Sequence, residues 1–368
     1  MSNKSSCAPL HFAPPGAFAR DVNIRARQIF KEPGEHRYGN AGVWLRGLAF
    51  LIIGASAYTE VLTGAGGFMF SLILIAIAAL CAFMLIVQLG HDASHGSLSK
   101  RTQINKLVVF ATFAILGVDG ALWRDRHVRL HHQVVNLPGT GIDADSVSLL
   151  RLAPDKPWHP WHRLQPLYGP VLYAIGHIHL VWLEDFASFR SARLIGRREF
   201  TGRGAVARFA LGKILHAFLF LLLPAILVHP ALLQLAVGYL FASSLIAISF
   251  VVLVIGTHVS DLAAFPQPDE AGWLSHDWAV HQLATSVDWS PTSSMAALFS
   301  GGANAHVAHH LFPGYNHRHM AALSEIVRQT AADHRLPYHA TSFAEMVRGH
   351  WRHLVVLSRP SAACIPLQ

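Results

Sequence analysis

Residues 68–95 read FMFSLILIAIAALCAFMLIVQLGHDASH, an apolar run that leads directly into the histidine pair His91 and His95. About 20 predominantly apolar residues let a helix cross a hydrocarbon core of roughly 30 Å, so residues 68–87 predict a membrane-spanning helix. Side chains four positions apart lie on one face of a helix, with Cβ atoms about 5–6 Å apart. The stretch therefore predicts a membrane helix followed by two imidazoles that can reach one metal ion.

Three further apolar stretches are long enough to span a membrane, at residues 43–62, 209–228 and 232–255. Short connections join the first predicted span to the second, at residues 64–67, and the third to the fourth, at His229 and Pro230. Each pair is expected to form a hairpin that crosses the membrane and returns. The sequence thus predicts an all-α integral membrane fold with four transmembrane helices in two hairpins.

The composition agrees with a membrane protein. Hydrophobic residues make up 52% of the 368 residues and charged residues only 14%, which is too apolar for an ordinary soluble domain. Cys7, Cys81 and Cys364 lie far apart and form neither a disulfide framework nor a Cys-x-x-Cys metal pair. Residues 1–20 lack a basic segment followed by an apolar core, so no cleavable signal is expected.

The net charge of +8 is distributed in agreement with the predicted spans. Lys and Arg are absent from residues 47–99 and 214–317 and are concentrated in residues 20–46, 100–213 and 318–359. Because Lys and Arg near membrane segments stay on the cytoplasmic side, the basic segments are expected there, with a bacterial inner membrane favoured. None of them accompanies a nucleic-acid recognition element, so nucleic-acid binding is not expected.

Two more histidine clusters repeat the short spacing of the first cluster, His91 and His95. The second cluster is His127, His131 and His132, and the third is His306, His309 and His310. Imidazole is a good ligand for iron, copper and zinc, and eight imidazoles exceed the about four to six positions of one ion. The three clusters therefore predict two metal ions.

Two other apolar segments, residues 107–118 and 167–183, are short or interrupted by Gly, Pro and His. If the three clusters share one metal site, they lie on one side of the membrane, and the number of crossings between them is even. Neither segment can then cross. Both are expected to be helices at the membrane interface or beneath a cytoplasmic cap.

The spacing H-x3-H, H-x3-HH and H-x2-HH resembles the three histidine boxes of the membrane fatty-acid desaturase family. HDASHGS at residues 91–97 is similar to the first box of acyl-lipid and front-end desaturases. DWAVHQLAT at 277–285, GGANAHVAHHLFP at 301–313 and LPY at 336–338 resemble their C-terminal block. The resemblance covers roughly residues 43–340, and His306 stands where front-end members usually have Gln.

The resemblance implies a desaturase with two iron ions held almost wholly by histidine in a cytoplasmic helical cap. It implies O2 as the oxidant and a fatty-acyl substrate, linked to lipid, CoA or acyl carrier protein, that gains a C=C bond. The sequence has no His-Pro-Gly-Gly signature of a fused cytochrome b5, so a separate ferredoxin-like or cytochrome b5-like electron donor is expected. The implied division is a cytoplasmic N-terminal segment (1–42), a membrane desaturase domain (43–340) and a cytoplasmic C-terminal tail (341–368).

The family also has a lone histidine after its last spanning helix, and His258 occupies that place here. The resemblance therefore implies nine metal-binding and catalytic histidines: His91, His95, His127, His131, His132, His258, His306, His309 and His310. The eight cluster histidines are expected to divide as four per ion, with His258 as an additional ligand to one of them.

Several polar residues near the clusters are candidates for support. Four carboxylates could hydrogen-bond the outer nitrogens of ligand imidazoles and fix their tautomers: Asp92, Asp125, Asp261 and Asp288. Gln282 and Asn304 match family positions and are interpreted as structural residues or as supports that contact the metal ligands. The other histidines that we considered are interpreted as interfacial or surface residues: His159, His162, His177, His179, His334, His339, His350 and His353.

Other functions are compatible with parts of the pattern. A hydroxylase, acetylenase or ketolase of the same superfamily would use the same metal centre. A His-rich metal transporter would need ionisable residues along its spans, and residues 68–87 contain none. A haem-binding membrane cytochrome would need paired histidines in facing helices, and His216 is alone in its predicted span.

Overall fold

Helices make up most of the computed structural model, which describes residues 10–30, 36–139 and 149–360. Parts of the predicted terminal segments lie outside the described residues, namely 1–9, 31–35 and 361–368, and so do Cys7 and Cys364. The α-helices, in chain order, are α1 Ala17–Arg27, α2 Ala41–Thr63, α3 Gly67–Leu85, α4 His91–Ser94, α5 Thr102–Ile115, α6 Gly120–Arg124, α7 His132–Val134, α8 Gln165–His179, α9 Asp185–Leu194, α10 Arg203–Ala217, α11 Leu223–Leu227, α12 Leu232–Val254, α13 Trp278–Thr285, α14 Ser294–Ser300, α15 His306–Leu311, α16 Met320–Asp333 and α17 Phe343–Leu357. Four π-helical segments continue some of these helices without a break: Ile86–Gly90, Asp125–His131, Leu180–Glu184 and Phe218–Leu222.

Four helices in the described residues are long and apolar enough to cross a membrane: Ala41–Thr63, Gly67–Ser94, Arg203–Leu227 and Leu232–Thr257. The predicted number of apolar spans is confirmed, but two bounds differ by more than two residues. The second helix continues through its π-helical segment to Ser94, so His91 lies in its last turns and not beyond its end. The third begins at Arg203 instead of residue 209, because long basic side chains at a helix end can extend towards water.

The two apolar segments that are expected not to cross lie in α5 and α8. The chain bends by 113° between α5 and the helix that begins with α6, and a fifth span results only if this bent pair is counted as one. Helix α8, which contains Pro170, is not among the candidate spans of the described residues and packs against α12 and α17.

Outside the four apolar helices, α1, α13, α15 and α16 pack around one apolar core that includes Val22, Leu283, Val307 and Leu323. Two parallel strand pairs connect distant segments: β1 (His11–Ala13) with β2 (Trp273–Asp277), and β3 (Asp288–Trp289) with β4 (Ala340–Thr341). The described part of the predicted tail is also attached to the body of the protein, because α17 buries one face against its neighbours.

The loop before the third histidine cluster packs directly on the backbone before the first cluster. Gly301, which ends α14, has φ of +59°, and a Cβ at this position would lie 1.9 Å from the carbonyl oxygen of Val87. Glycine allows both the positive φ and the close backbone contact. The contact fixes the segment that leads to His306 against the π-helical segment that leads to His91.

Replacing Gly301 with Ala is expected to lower thermal stability more than the same change at Gly196. Both glycines have positive φ, +59° and +71°, but nothing lies within 4 Å of a Cβ at Gly196. At either position, an alanine in this left-handed conformation lowers the free energy of unfolding by about 1–2 kcal/mol. At Gly301 the steric clash of the added Cβ lowers it by about 1–3 kcal/mol more. Thermal unfolding of the two detergent-purified variants measures the difference, and equal melting temperatures would contradict this account of the contact.

Candidate metal centre

All nine histidines singled out from the sequence lie in one region, and eight of them form two groups. The first group consists of His91, His95, His127 and His309, and the second of His131, His258, His306 and His310. Within each group, one ring nitrogen from each residue lies within 4.8 Å of those of the others. The three clusters and the lone histidine, which are separated by up to 219 positions in the chain, are thus brought together by the fold.

His132 lies between the two groups. Its Nε2 atom is 3.2 Å from Nε2 of His127, and its ring stacks on that of His310 with centroids 4.3 Å apart. The expected division placed the eight cluster histidines four to an ion, with His258 in addition. Instead, His258 belongs to a group of four, and the additional histidine is His132, on the side of the first group.

The second cluster does not behave as its spacing predicts. His91 and His95 share one group, as four-residue spacing on a helix predicts, but His127 and His131 belong to different groups. These two lie in the π-helical segment Asp125–His131, whose wider turn changes the direction of each side chain. Their rings are parallel to within 18°, with centroids 5.2 Å apart, so the second cluster bridges the two groups.

The donor atoms fit metal ions. Nε2 of His306 lies 2.7 Å from Nε2 of His258, and Nε2 of His91 lies 3.0 Å from Nε2 of His127. Ligand nitrogens about 2.0–2.1 Å from a metal and at right angles to each other are separated by about 3 Å. The buried Nε2 atoms of His95 and His309 have no hydrogen-bond partner in the described residues, as is expected of atoms that bind a metal ion.

The electrostatics of the site also favour metal binding. Burial lowers the pKa of six of its histidines well below the ordinary value, and neighbouring imidazoles lower these pKa values further: His95, His127, His132, His306, His309 and His310. A neutral imidazole is the form that binds a metal ion. The site therefore keeps its candidate ligands in the binding form without loss of a proton.

Three histidines of the second group are oriented through their outer nitrogens. Nδ1 of His258 donates to the carbonyl oxygen of Thr285 at 2.8 Å, and Nδ1 of His310 donates to Oε1 of Gln282 at 2.8 Å. Nδ1 of His306 lies 3.2 Å from the carbonyl oxygen of Ala303. Because an oxygen of this kind only accepts, each Nδ1 carries the proton, and each Nε2 presents its lone pair to the group.

The four carboxylates that were candidates for this orienting role have other partners in the described residues. Asp261 pairs with Arg352 at 2.6 Å, and Asp125 pairs with Arg129 and Arg197. The outer nitrogens of His258, His306 and His310 bind backbone carbonyls and Gln282 and not these two carboxylates.

Asp288 and Asp92 instead attach the clusters to the surrounding structure. Asp288 accepts from the backbone N–H of Val307, next to His306, and from the hydroxyls of Ser324 and Tyr338. Burial raises the pKa of Asp288 to about 6, although these hydrogen bonds oppose the shift. Asp92, next to His91, accepts from Nδ1 of His317 at 2.6 Å.

His317 was missed by the sequence reasoning. Its Nε2 lies 3.2 Å from the guanidinium of Arg46, which also donates to Gln88. A guanidinium only donates, so Nε2 of His317 accepts and its Nδ1–H donates to Asp92. Arg46 and Asp92 thus hold His317 between them. His317 belongs to no recognised histidine spacing, so no sequence signal separated it from other histidines.

The histidines excluded from the site lie elsewhere in the described residues, several of them more deeply buried than a surface interpretation predicts. His177, His350 and His353 bind the backbone carbonyls of Leu116, Val259 and Leu152, respectively. Burial lowers the pKa of His350 to about 4. They are core histidines, and each makes a hydrogen bond to a backbone carbonyl.

Comparisons with known proteins agree with this geometry. The model of the family described as fatty acid desaturase matches residues 66–342. An acyl-lipid (8-3)-desaturase of Physcomitrium patens is 32% identical over 283 residues, which cover 73% of this chain and 56% of that protein. An sn-1 linoleoyl-lipid 6-desaturase of Synechocystis sp. is 24% identical over 379 residues, 96% of this chain and 98% of its own length.

A second sn-1 linoleoyl-lipid 6-desaturase, from Arthrospira platensis, is 24% identical over 360 residues, which cover 94% of this chain and 94% of that protein. The chain therefore spans about half the length of the Physcomitrium protein but nearly the whole of the two sn-1 linoleoyl-lipid 6-desaturases. The family model extends over most of the sequence and includes the three histidine clusters and His258. The chain belongs to the fatty acid desaturase family and is an oxidoreductase.

Proposed function

We propose that this protein is an O2-dependent fatty-acyl desaturase that holds two iron ions and receives electrons from a separate carrier protein. The observation that supports the proposal most is the pair of adjacent four-histidine groups, the second of them fully buried, beside the ends of two apolar helices. Iron is the metal of the proposal because this family is known to use it and because removal of hydrogen from an unactivated methylene requires a redox-active metal.

The proposed ligands of the first ion are His91, His95, His127 and His309, with His132 as the fifth. The proposed ligands of the second ion are His131, His258, His306 and His310. When bound, the irons supply the redox chemistry with O2. In the net reaction, the substrate loses two hydrogens, and these, with two electrons from the carrier and two protons, convert O2 to two waters.

The residues of the chain contribute orientation and exclusion of water. The outer hydrogen bonds of His258 and His310 prevent their rings from rotating, so little reorganisation is needed when a metal binds. Trp123 stacks on His127 with ring centroids 4.4 Å apart and covers one side of the second cluster. A dry, fixed site favours reaction at one position of the acyl chain over side reactions with water.

We propose the topology of two hairpins with the histidine clusters on the cytoplasmic side, in a bacterial inner membrane. The distribution of Lys and Arg supports this orientation. Residues 43–340 form the membrane desaturase domain of the proposal, preceded by the segment 1–42 and followed by 341–368, of which α17 packs on the domain.

The proposed substrate is an acyl chain linked to a lipid, in preference to CoA or acyl carrier protein. Support comes from the names of the relatives, which describe acyl-lipid and linoleoyl-lipid desaturases. A hydroxylase or acetylenase of the same superfamily shares the first hydrogen removal and differs in the final product, so product analysis distinguishes these activities.

Lipid profiling after expression in a bacterial host tests the proposed reaction. We expect host acyl chains that are two mass units lighter, because one molecule of desaturase product has lost two hydrogens. Cells that express the His309→Ala variant, which lacks a proposed ligand, should lack this product. A product sixteen mass units heavier would replace the proposal with hydroxylation, and unchanged lipids under iron-replete, aerobic conditions with a supplied donor would contradict both.

The His258→Ala variant is expected to lose iron and activity. Nε2 of His258 lies 2.7 and 2.9 Å from Nε2 of His306 and His310, so its removal takes one ligand from the second ion. His162→Ala is the matched control, since His162 is 2% exposed and His258 4% exposed, and His162 belongs to neither group.

Metal analysis of the purified proteins should give iron near two per chain in the wild type and His162→Ala, and less in His258→Ala. The same iron content and lipid product in His258→Ala and wild type would exclude His258 as a ligand. Protein that binds one ion or fewer at full activity would exclude the two-iron site itself.

The electron donor is proposed to be an acidic protein that docks beside the second cluster. An open cleft of about 520 Å³ lies there and is lined by Arg129, Arg197 and Arg198 together with two acidic residues. Long-range attraction between charged proteins raises the association rate and is screened by salt.

Turnover with a reduced ferredoxin is therefore expected to fall as ionic strength rises from low to physiological values, and Arg198→Gln should lower it at low salt. Arg328→Gln is the control, because Arg328 is exposed and pairs with Glu325 outside the cleft. Turnover that is indifferent to salt, or equally affected by both substitutions, would contradict docking at this cleft.

A further inference from the structure

A buried ion pair lies within the apolar part of the protein, outside the histidine groups. Lys213, in the third apolar helix, is 8% exposed at its side chain and Asp185 is fully buried, and Nζ lies 2.8 Å from Oδ2 of Asp185. The other two protons of the ammonium group point to the carbonyl oxygens of Gly117 and Val181, each 2.6 Å away. Charged groups at such depth are costly and are commonly retained for function.

The carbonyl groups that Lys213 binds lie just beyond the end of α5 and in a π-helical segment. A helix ends with carbonyl groups that have no partner within the helix. At the end of α5, three successive carbonyl groups receive donors from other helices: Ile115 from Nδ1 of His216, Leu116 from Nε2 of His177, and Gly117 from Lys213. The carbonyl of Val181 lies in the π-helical segment Leu180–Glu184.

The turn at Gly117 is built around these donors. Gly117 has φ of +75°, and a Cβ there would lie 2.7 Å from the ring of His216. The chain bends by 113° at this turn, between α5 and the helix that contains the second cluster. Side chains from α8 and α10 therefore fix the direction in which that helix leaves the turn.

Asp185 continues this connection to the second cluster. Its Oδ2 accepts from the backbone N–H of Asp119 at 2.7 Å, and Oδ1 of Asp119 caps α6 by accepting from Ala121 and Leu122. Helix α6 continues directly into the segment Asp125–His131. The guanidinium of Arg126, the residue before His127, lies 3.5 Å from Oδ1 of Asp185.

We infer that the Lys213–Asp185 pair is a positioning device for the second histidine cluster and thereby for both metal ions. The second cluster contributes His127 and His132 to the side of the first group and His131 to the second group, so a small displacement of its helix moves candidate ligands of both ions. Neither Lys213 nor Asp185 is hydrogen-bonded to a cluster histidine in the described residues. The inference rests on the proposed two-iron site and adds residues that act on it from a distance.

The test compares the variants Lys213→Met, Asp185→Asn and the double variant with wild type. Each single substitution leaves a buried charge without its partner, whereas the double variant removes both charges at similar volume. Arg151→Met is the matched control: Arg151 is also a buried cation that donates to backbone carbonyls, those of Pro154 and Lys156 among them, but it holds a different segment.

The purified proteins are compared by iron content, Mössbauer spectrum of 57Fe-loaded protein and melting temperature. We expect each single variant to bind about half the iron of wild type or less with an altered spectrum, and the double variant to regain most of it. Arg151→Met is expected to lower the melting temperature while its iron content and spectrum stay as in wild type. Full iron and an unchanged spectrum in Lys213→Met, or an equal loss of iron in Arg151→Met, would overturn the inference.

A measurement on wild-type protein applies even if a variant does not fold. If the pair positions the metal ligands, then metal binding must in turn stabilise the pair, because coupling between sites is reciprocal. Removal of iron by a chelator is expected to raise hydrogen exchange by about threefold or more at residues 115–122 and 181–187, and not at residues 150–158.

If iron removal changed hydrogen exchange in none of the three segments, or by the same factor in all three, the inference would be overturned. Wild-type protein that binds no iron would instead contradict the proposed function, so the two failures are distinguishable.

Discussion

Every polar group that this protein buries among apolar helices needs a partner, and the rest of the structure depends on this constraint. No water is present in a hydrocarbon core to bind an exposed N–H or C=O group, and an unsatisfied group there costs several kcal/mol. The nine histidines meet the constraint in two ways. Outer nitrogens of the second group bind oxygens of the protein, whereas inner nitrogens such as Nε2 of His309 have no partner of their own in the described residues. Metal ions would satisfy these inner lone pairs without adding protons.

The same constraint explains why the end of α5 is bound by so many side chains. A chain that turns back within apolar surroundings exposes carbonyl groups at the turn, and here Lys213, His177 and His216 satisfy them. Helix irregularities act together with these contacts. The π-helical segments Ile86–Gly90 and Asp125–His131 directly precede or contain cluster histidines, and each extra residue in a turn changes the direction of the side chains after it.

Particular residues show why the prediction from sequence succeeded in some places and failed in others. The apolar helices were predictable because hydropathy is a local property of about 20 consecutive residues. The start of the third helix at Arg203 was not, since long basic side chains at a helix end can extend towards water and hydropathy therefore does not mark that end. The orienting partners of the rings were not predictable either, because a backbone carbonyl such as that of Thr285, which binds His258, carries no signal in residue type.

The sequence by itself determined the apolar composition, the number of apolar spans, the family resemblance and the nine candidate histidines, because these depend on composition, run length, motifs and spacing along the chain. Only the tertiary structure decided how the histidines divide. It separated His127 from His131, placed His258 within a group of four, and left His132 between the groups. It also connected Lys213 to the second cluster through Asp185 and Asp119. The physical reason is that these arrangements depend on helix direction and on contacts between residues far apart in the chain, which no local pattern records.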